Sequence, residues 1–92
     1  VLAVDLGTGG PKVGAVGLDG EMYATSFTAV PTLQTEDGGT EQDVSLWWEG
    51  IRRSVRGFIA DGVVAGNDLY AVGLTSQWSS IVAVDSEGHP VG

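Results

Sequence analysis

Asp5, Gly7, Thr8, Gly9, Gly10 and Lys12 fall close together in the stretch VDLGTGGPKVGAV, residues 4–16. A carboxylate, a hydroxyl, a glycine run and an ammonium in that order have the makings of an anion site. Successive main-chain N–H groups in a glycine turn form an anion-binding hollow without any help from side chains. Thr8 adds a hydroxyl donor and Lys12 a positive charge. Asp5 would repel a bare phosphate, but a hydrated Mg²⁺ between the two removes the conflict, because magnesium keeps its waters and takes few carboxylates. The residues therefore describe a site for a Mg-nucleotide. The competing reading is structural, since glycine turns beside an aspartate are common in hairpins.

The spacing rules out two familiar phosphate devices. A P-loop places Gly-Lys-Ser/Thr at the start of a helix, whereas Lys12 is followed by Val13 and Gly14. A dinucleotide fingerprint needs a third glycine where Lys12 stands, and it too must open a helix. The residues after Lys12 are strand-like, so the turn is expected to join two strands.

The elements that must position these residues are readable from pattern. Val1–Leu6 and Lys12–Leu18 are apolar strand candidates, Asp19-Gly20 is a hairpin signal, and Glu21–Val30 alternates as a third strand. Residues 31–42, PTLQTEDGGTEQ, read as a polar excursion loop. Asp43 is a suitable N-cap for a helix from Val44, whose buried stripe is Trp47, Ile51, Val55 and Phe58 or Ile59. ADGVVAGND ends that helix. Leu69–Thr75 and Ile81–Val84 come next as strands, and DSEGHP as a turn. The predicted order is β-β-β-α-β-β.

The 92 residues suit one small domain or one piece of a larger one, with a modest core. The absence of a starting methionine, and an ending just after an apolar restart, lead us to expect the N-terminal portion of a longer chain. Net charge is −8, with Arg52, Arg53 and Arg56 grouped in one segment and Lys12 the remaining cation. Such a balance disfavours nucleic acid and anionic membranes as partners. There is no cysteine, which excludes disulfides and thiolate-zinc sites. No apolar run reaches membrane-spanning length.

Three stretches together resemble the FGGY carbohydrate kinases of the actin/hexokinase/Hsp70 ATPase superfamily. DLGTGGPKVGAVGLDG is similar to that family's first phosphate motif, and GGTEQDVSLWWEGI to its Glu-Gln-Asp-x-x-x-Trp-Trp stretch. LYAVGLTSQWSSIVAVDSEGHPV is similar to its strand, Gln-containing loop and strand. The resemblance covers nearly the whole chain and implies a ribonuclease-H-like α/β domain, here residues 1–92 as the N-terminal part of kinase domain I. It implies transfer of the ATP γ-phosphoryl to a sugar or polyol hydroxyl, with ATP and Mg²⁺ as cofactors. Asp5 would organise the metal through water. Gly7, Thr8, Gly9 and Gly10 would contact phosphate, with Lys12 near the β/γ end. Gln77 would meet the sugar as a hydroxyl-binding amide, with Trp78 and Ser79 beside it. Xylulokinase-like members often carry Gln-Met-His at this loop and glycerol kinases Gln-Arg-Glu. This chain has Gln77-Trp78-Ser79-Ser80, a departure that leaves the sugar open, with a pentulose as the leading choice. The general base and adenosine site belong to regions beyond residue 92, so the chain alone is expected to be inactive. The expected partners are the substrate, the remainder of a kinase chain and, as one option, a second copy; the expected compartment is the cytoplasm.

Other conspicuous residues have plainer readings. Trp47 is expected in the core and Trp48 against a flanking element, because adjacent helical residues face different ways. Glu41, Gln42 and Asp43 approach the same cleft, though capping accounts for Asp43. The arginines read as a solvated helix face or an interdomain contact, and His89 as an exposed turn residue. Two rival functions stand beside the kinase. One is a noncatalytic ligand-binding or regulatory module that retains the fold; the other is a hexokinase-like or acetate-kinase-like enzyme.

Overall fold

A meander opens the chain because three β-rich runs are separated by glycine turns. The computed structural model describes residues 1–78 and 80–91. β1 (Leu2–Gly7), β2 (Gly10–Val16) and β3 (Met22–Phe27) are antiparallel neighbours. Pairing continues past the end of β3, where Thr28 N–H donates to the Pro11 carbonyl at 3.0 Å and Val30 N–H to that of Gly9 at 2.9 Å. The register shifts between Ala15 and Val16. The turn there spans Gly17 to Glu21, so it is wider than a two-residue hairpin at Asp19-Gly20.

The segment expected as a plain loop carries a short hairpin, β4 (Leu33–Gln34) with β5 (Thr40–Glu41). Its tip is held by Asp37, which accepts from the Thr35 hydroxyl and, at 3.1 Å, from Gly39 N–H. Helix α1 (Val44–Ala60) then begins at Asp43, whose carboxylate accepts from Ser45 N–H at 3.0 Å. A cap of this type contributes about 1 kcal/mol. The helix ends in a Schellman arrangement. Gly62, at φ +74°, donates to Ile59 O at 3.1 Å and Val63 to Phe58 O at 3.0 Å.

The contact face of α1 differs from the expected stripe. Gly50, Ser54 and Phe58 are its buried residues, while Trp47, Ile51 and Val55 are partly buried and Ile59 is exposed. Close approach explains the rotation. A Cβ on Gly50 would lie 2.9 Å from Thr28 Cβ and 3.0 Å from Pro11 Cγ. Ser54 bonds Ser26 across the interface at 2.9 Å. Apolar spacing alone marks bulky residues and overlooks small ones that let a helix sit down on a sheet.

After a 3₁₀ turn (Gly66–Asp68), β6 (Val72–Ser76) lies parallel to β1, giving the sheet order β3-β2-β1-β6. Leu2, Val4, Val13, Ala15 and Phe58 form the core, flanked by partly buried Leu6, Ala24, Ile51, Val55, Val64 and Leu69. Fully burying a side chain such as Phe58 is worth roughly 2–3 kcal/mol. Further along the sheet, on the same face, Val72 and Leu74 remain 64% and 68% exposed.

The predicted strand Ile81–Val84 is not formed. Among the described residues this run makes one isolated bridge, Val84 with Pro90, around a turn in which Asp85 N–H donates to the His89 carbonyl at 2.9 Å. An apolar run becomes a strand only where a neighbour offers a ladder, and a lone hairpin is marginal by itself.

Candidate functional site

Gly7 pairs with Gly10, so Thr8 and Gly9 alone form the connection between β1 and β2. The turn leads into a strand and not a helix, as expected from the residues after Lys12. Gly10 has φ +129°, and a Cβ there would stand 2.0 Å from the Thr28 carbonyl oxygen. Only glycine fits. Gly7 and Gly9 are less constrained: a Cβ at Gly7 would be 4.0 Å from Asp5 Oδ1, and one at Gly9 would be 3.5 Å from Phe27 Cζ. Their bareness leaves the turn backbone open. Among the described residues the N–H groups of Thr8 and Gly9 have no intramolecular acceptor.

Asp5 and Lys12 are cross-strand partners on the sheet face turned away from α1. Both are exposed and both line one shallow trough of about 340 Å³, with Ala3, Gly14, Thr25 and Gly73 among its walls. They make no ion pair with each other; the ion pairs among the described residues are Arg52–Glu49 and those of His89 with Asp85 and Glu87. No group of three or more His, Asp or Glu residues able to hold a metal occurs among the described residues. Asp5 is a single open carboxylate, and that donor set fits an ion that keeps most of its water shell, not a protein cage.

Gln77 stands just beyond β6 and continues the pairing, its N–H donating to the Leu6 carbonyl at 2.8 Å. The parallel pairing of β6 with β1 therefore brings Gln77 beside the glycine turn, although 69 residues separate it from Thr8 in sequence. In α/β sheets ligands collect outside the carboxyl ends of parallel strands, and these two residues occupy that end. Thr8 and Gln77 line a second, larger cavity of about 800 Å³ together with Thr40, Gln42 and Trp47. The expected set is thus divided. Asp5 and Lys12 share the trough, Thr8 and Gln77 the cavity, and the turn glycines Gly7, Gly9 and Gly10 line neither. Trp78 lines neither and is 89% exposed. Ser79 lies outside the described residues.

Glu41, Gln42 and Asp43, expected at the cleft, all line the cavity, and Gln42 links these parts. The Gln42 side-chain amide donates to the Thr8 carbonyl at 2.8 Å, the Thr32 hydroxyl at 3.2 Å and the Val30 carbonyl at 3.3 Å. Its carbonyl oxygen accepts from the Trp47 indole N–H at 3.0 Å. Trp47 is therefore half-buried with its polar edge used, and Gln42 faces the turn as well as the cavity. No local pattern marks this role, because the partners come from three separate segments.

Two carboxylates away from the turn have perturbed affinities for protons. The Thr35 hydroxyl and the Gly39 N–H hold Asp37 below the ordinary aspartate value. The N–H groups of His89 and Glu87 do the same for Asp85. Both are turn-forming carboxylates whose hydrogen bonds stabilise the charged form.

Comparison with known proteins gives a consistent answer. The sequence profile described as "FGGY family of carbohydrate kinases, N-terminal domain" matches residues 1–92. A glycerol kinase of Aquifex aeolicus is 33% identical over 92 residues, and a xylulose kinase of Staphylococcus epidermidis 26% identical over 91; 99% of this chain and 18% of each relative are covered. Among solved structures, a xyloylose kinase from Brucella ovis superposes with TM-score 0.83 at 21% identity, covering 97% of this chain and 19% of that one. A gluconate kinase from Lactobacillus acidophilus gives TM-score 0.78 at 22% identity, covering 100% of this chain and 19% of the other. The chain thus spans about a fifth of the length of the relatives it matches. The fold is part of a ribonuclease-H-like α/β unit. No helix among the described residues is long and apolar enough to cross a membrane.

Proposed function

Because the chain belongs to the FGGY family of carbohydrate kinases, we propose that residues 1–92 are the N-terminal part of domain I in an ATP-dependent sugar kinase. The reaction is transfer of the γ-phosphoryl of Mg-ATP to a hydroxyl of a pentulose or related sugar or polyol. One observation supports this reading most: the glycine turn joins the two strands that carry Asp5 and Lys12 on the trough, and its own Thr8 lines the cavity with Gln77. A donor-rich backbone tied to an acid–ammonium pair and to an amide-lined cavity suits a site for a phosphoryl donor and a hydroxylated acceptor.

Phosphoryl transfer depends chiefly on positioning and on neutralising charge at the phosphoryl oxygens. In this proposal the free N–H groups of Thr8 and Gly9 donate to phosphate oxygens, and the Thr8 hydroxyl adds a donor. Lys12 supplies the nearby positive charge. Asp5 would hold Mg²⁺ through water; when bound, the ion neutralises charge on the transferring group. Gln77 orients a hydroxyl of the acceptor. The general base and the adenosine-binding residues are assigned to sequence beyond residue 92, so residues 1–92 alone are expected to be inactive. Both glycerol and xylulose kinases stand among the relatives, and the Gln77-Trp78-Ser79-Ser80 loop repeats neither expected motif.

An ADP-release screen of the longer protein against pentuloses, hexuloses and polyols, glycerol included, tests the reading. Turnover with one class is expected. Asp5→Ala should abolish transfer while sugar binding, measured by calorimetry, stays largely intact. Unchanged turnover in that variant would remove Asp5 from the mechanism, and no turnover with any acceptor would favour a noncatalytic module.

A further inference from the structure

The contacts of Gln42 specify more than packing. Trp47 Nε1 can only donate, and the Thr8 and Val30 carbonyls can only accept. The amide of Gln42 is therefore fixed in one orientation by its neighbours' chemistry, with Oε1 on the indole and Nε2 on the turn. Its shortest bond, 2.8 Å, is to the Thr8 carbonyl, across a sequence separation of 34 residues.

Holding that carbonyl has a geometric consequence. In a trans peptide the C=O and the following N–H point in opposite directions. With the Thr8 oxygen pinned on Gln42, the Gly9 N–H is aimed away from Gln42. The next peptide is also held, since the Gly9 carbonyl accepts from Val30 N–H at 2.9 Å. The Thr8–Gly9 peptide is the one in this turn that a side chain must restrain. Glycine at position 9 offers little torsional resistance to its rotation. A flip would exchange a donor for a carbonyl oxygen at the same spot, turning attraction for an anion into repulsion.

We infer that Gln42, itself steadied by the Trp47 indole, is a positioning residue that locks the Thr8–Gly9 peptide with the Gly9 N–H presented to the nucleotide phosphates. This deepens the kinase reading and rests on it. Gln42 acts on the phosphate side through the turn, although it also borders the cavity assigned to the sugar.

The test uses the longer kinase chain with Gln42→Glu, Gln42→Leu and Trp47→Phe. Gln42→Glu keeps an acceptor for Trp47 but removes the donors to Thr8 and Val30. Loss of a hydrogen bond of this kind should raise the KM for ATP about five- to tenfold. The KM for the sugar is expected to stay within about twofold, since a rise in one substrate's KM alone marks a contact specific to it. Trp47→Phe should shift the same parameter in the same direction by less. In isotope-labelled protein without substrates, each substitution should move the Gly9 amide resonance and speed its hydrogen exchange. Folded variants with an unchanged KM for ATP and an unmoved Gly9 resonance would overturn the inference, as would equal rises in both KM values. If the parent protein transfers no phosphoryl group, the kinase reading fails on its own account. The Gly9 resonance, with its response to added Mg-ATP, then still decides whether Gln42 sets a phosphate-binding peptide.

Discussion

The two turns that end β2 make an instructive pair. The one at its far end, Gly17 to Glu21, takes its hydrogen bonds from its own residues, with Tyr23 of β3 packed against Gly17. Gly20 N–H reaches the Gly17 carbonyl at 2.9 Å, Glu21 N–H reaches Asp19 Oδ1 at 3.0 Å, and nothing lies within 4 Å of a Cβ placed on Gly20. The one at its near end, Gly7 to Gly10, is held from outside. Thr28 presses on Gly10, Phe27 underlies Gly9, Val30 takes the Gly9 carbonyl, and Gln42 takes that of Thr8. A self-sufficient turn spends its polar groups on itself. A turn braced by neighbours keeps its N–H groups available, and such a backbone can offer donors to a ligand.

The largest expected difference between the two turns comes from adding one methyl group. Gly10→Ala meets the Thr28 carbonyl at 2.0 Å with φ at +129°, and should cost roughly 3 kcal/mol or more, because neither backbone can yield cheaply. Gly20→Ala also has a positive φ, +85°, but enters open space, so about 1 kcal/mol is expected. Chemical unfolding of both variants measures the contrast, and equal losses would erase it. A smaller effect is expected at Asp19. Removing its carboxylate in Asp19→Ala leaves one exposed N–H to water, costing about 0.5–1 kcal/mol with turnover of the longer protein unchanged. A fall in turnover would show that the far turn also serves the site.

The smallest effect concerns a third self-built turn, at Asp85. Its carboxylate accepts from His89 N–H at 2.8 Å and Glu87 N–H at 2.9 Å, which lowers its pKa in the folded state. A depressed carboxylate contributes stability above its unfolded pKa and loses that contribution as pH falls through the lowered folded value. Acidification should therefore loosen residues 85–89 locally, in a range below that where a free aspartate titrates, with little change elsewhere. Carboxyl chemical shifts against pH will show it, and Asp85→Asn should flatten the response of the two amides. Titration of Asp85 at the ordinary value would contradict the hydrogen bonding of this turn.

Local signals carried much of the architecture. β1 to β3, the Asp43 cap and β6 arise from runs, alternation and turn residues that lie side by side in the chain. The pairing of Asp5 with Lys12 was not legible: strands expected over Val1–Leu6 and Lys12–Leu18 leave a turn one residue out of step with the observed closure at Gly7 and Gly10. The failures share one cause, dependence on distant neighbours. Ile81–Val84 has the composition of a strand, yet among the described residues it makes a single bridge, Val84 with Pro90, and no ladder. The phase of α1 is set by Thr28 and Pro11 crowding Gly50, which no apolar count registers. Gln42 was expected at the cleft, but its bracing of the turn was not, because its partners at Thr8, Val30, Thr32 and Trp47 are united only by the fold.

Strand β6 closes the sheet on one side, with Val72 and Leu74 bare and a row of main-chain groups facing outward. Such a lip is a template onto which another extended segment can zip. Residues 1–92 handled alone should consequently show light scattering that grows with concentration. Charged replacements at those two positions should suppress it, since they disfavour intermolecular strand addition without touching the turn.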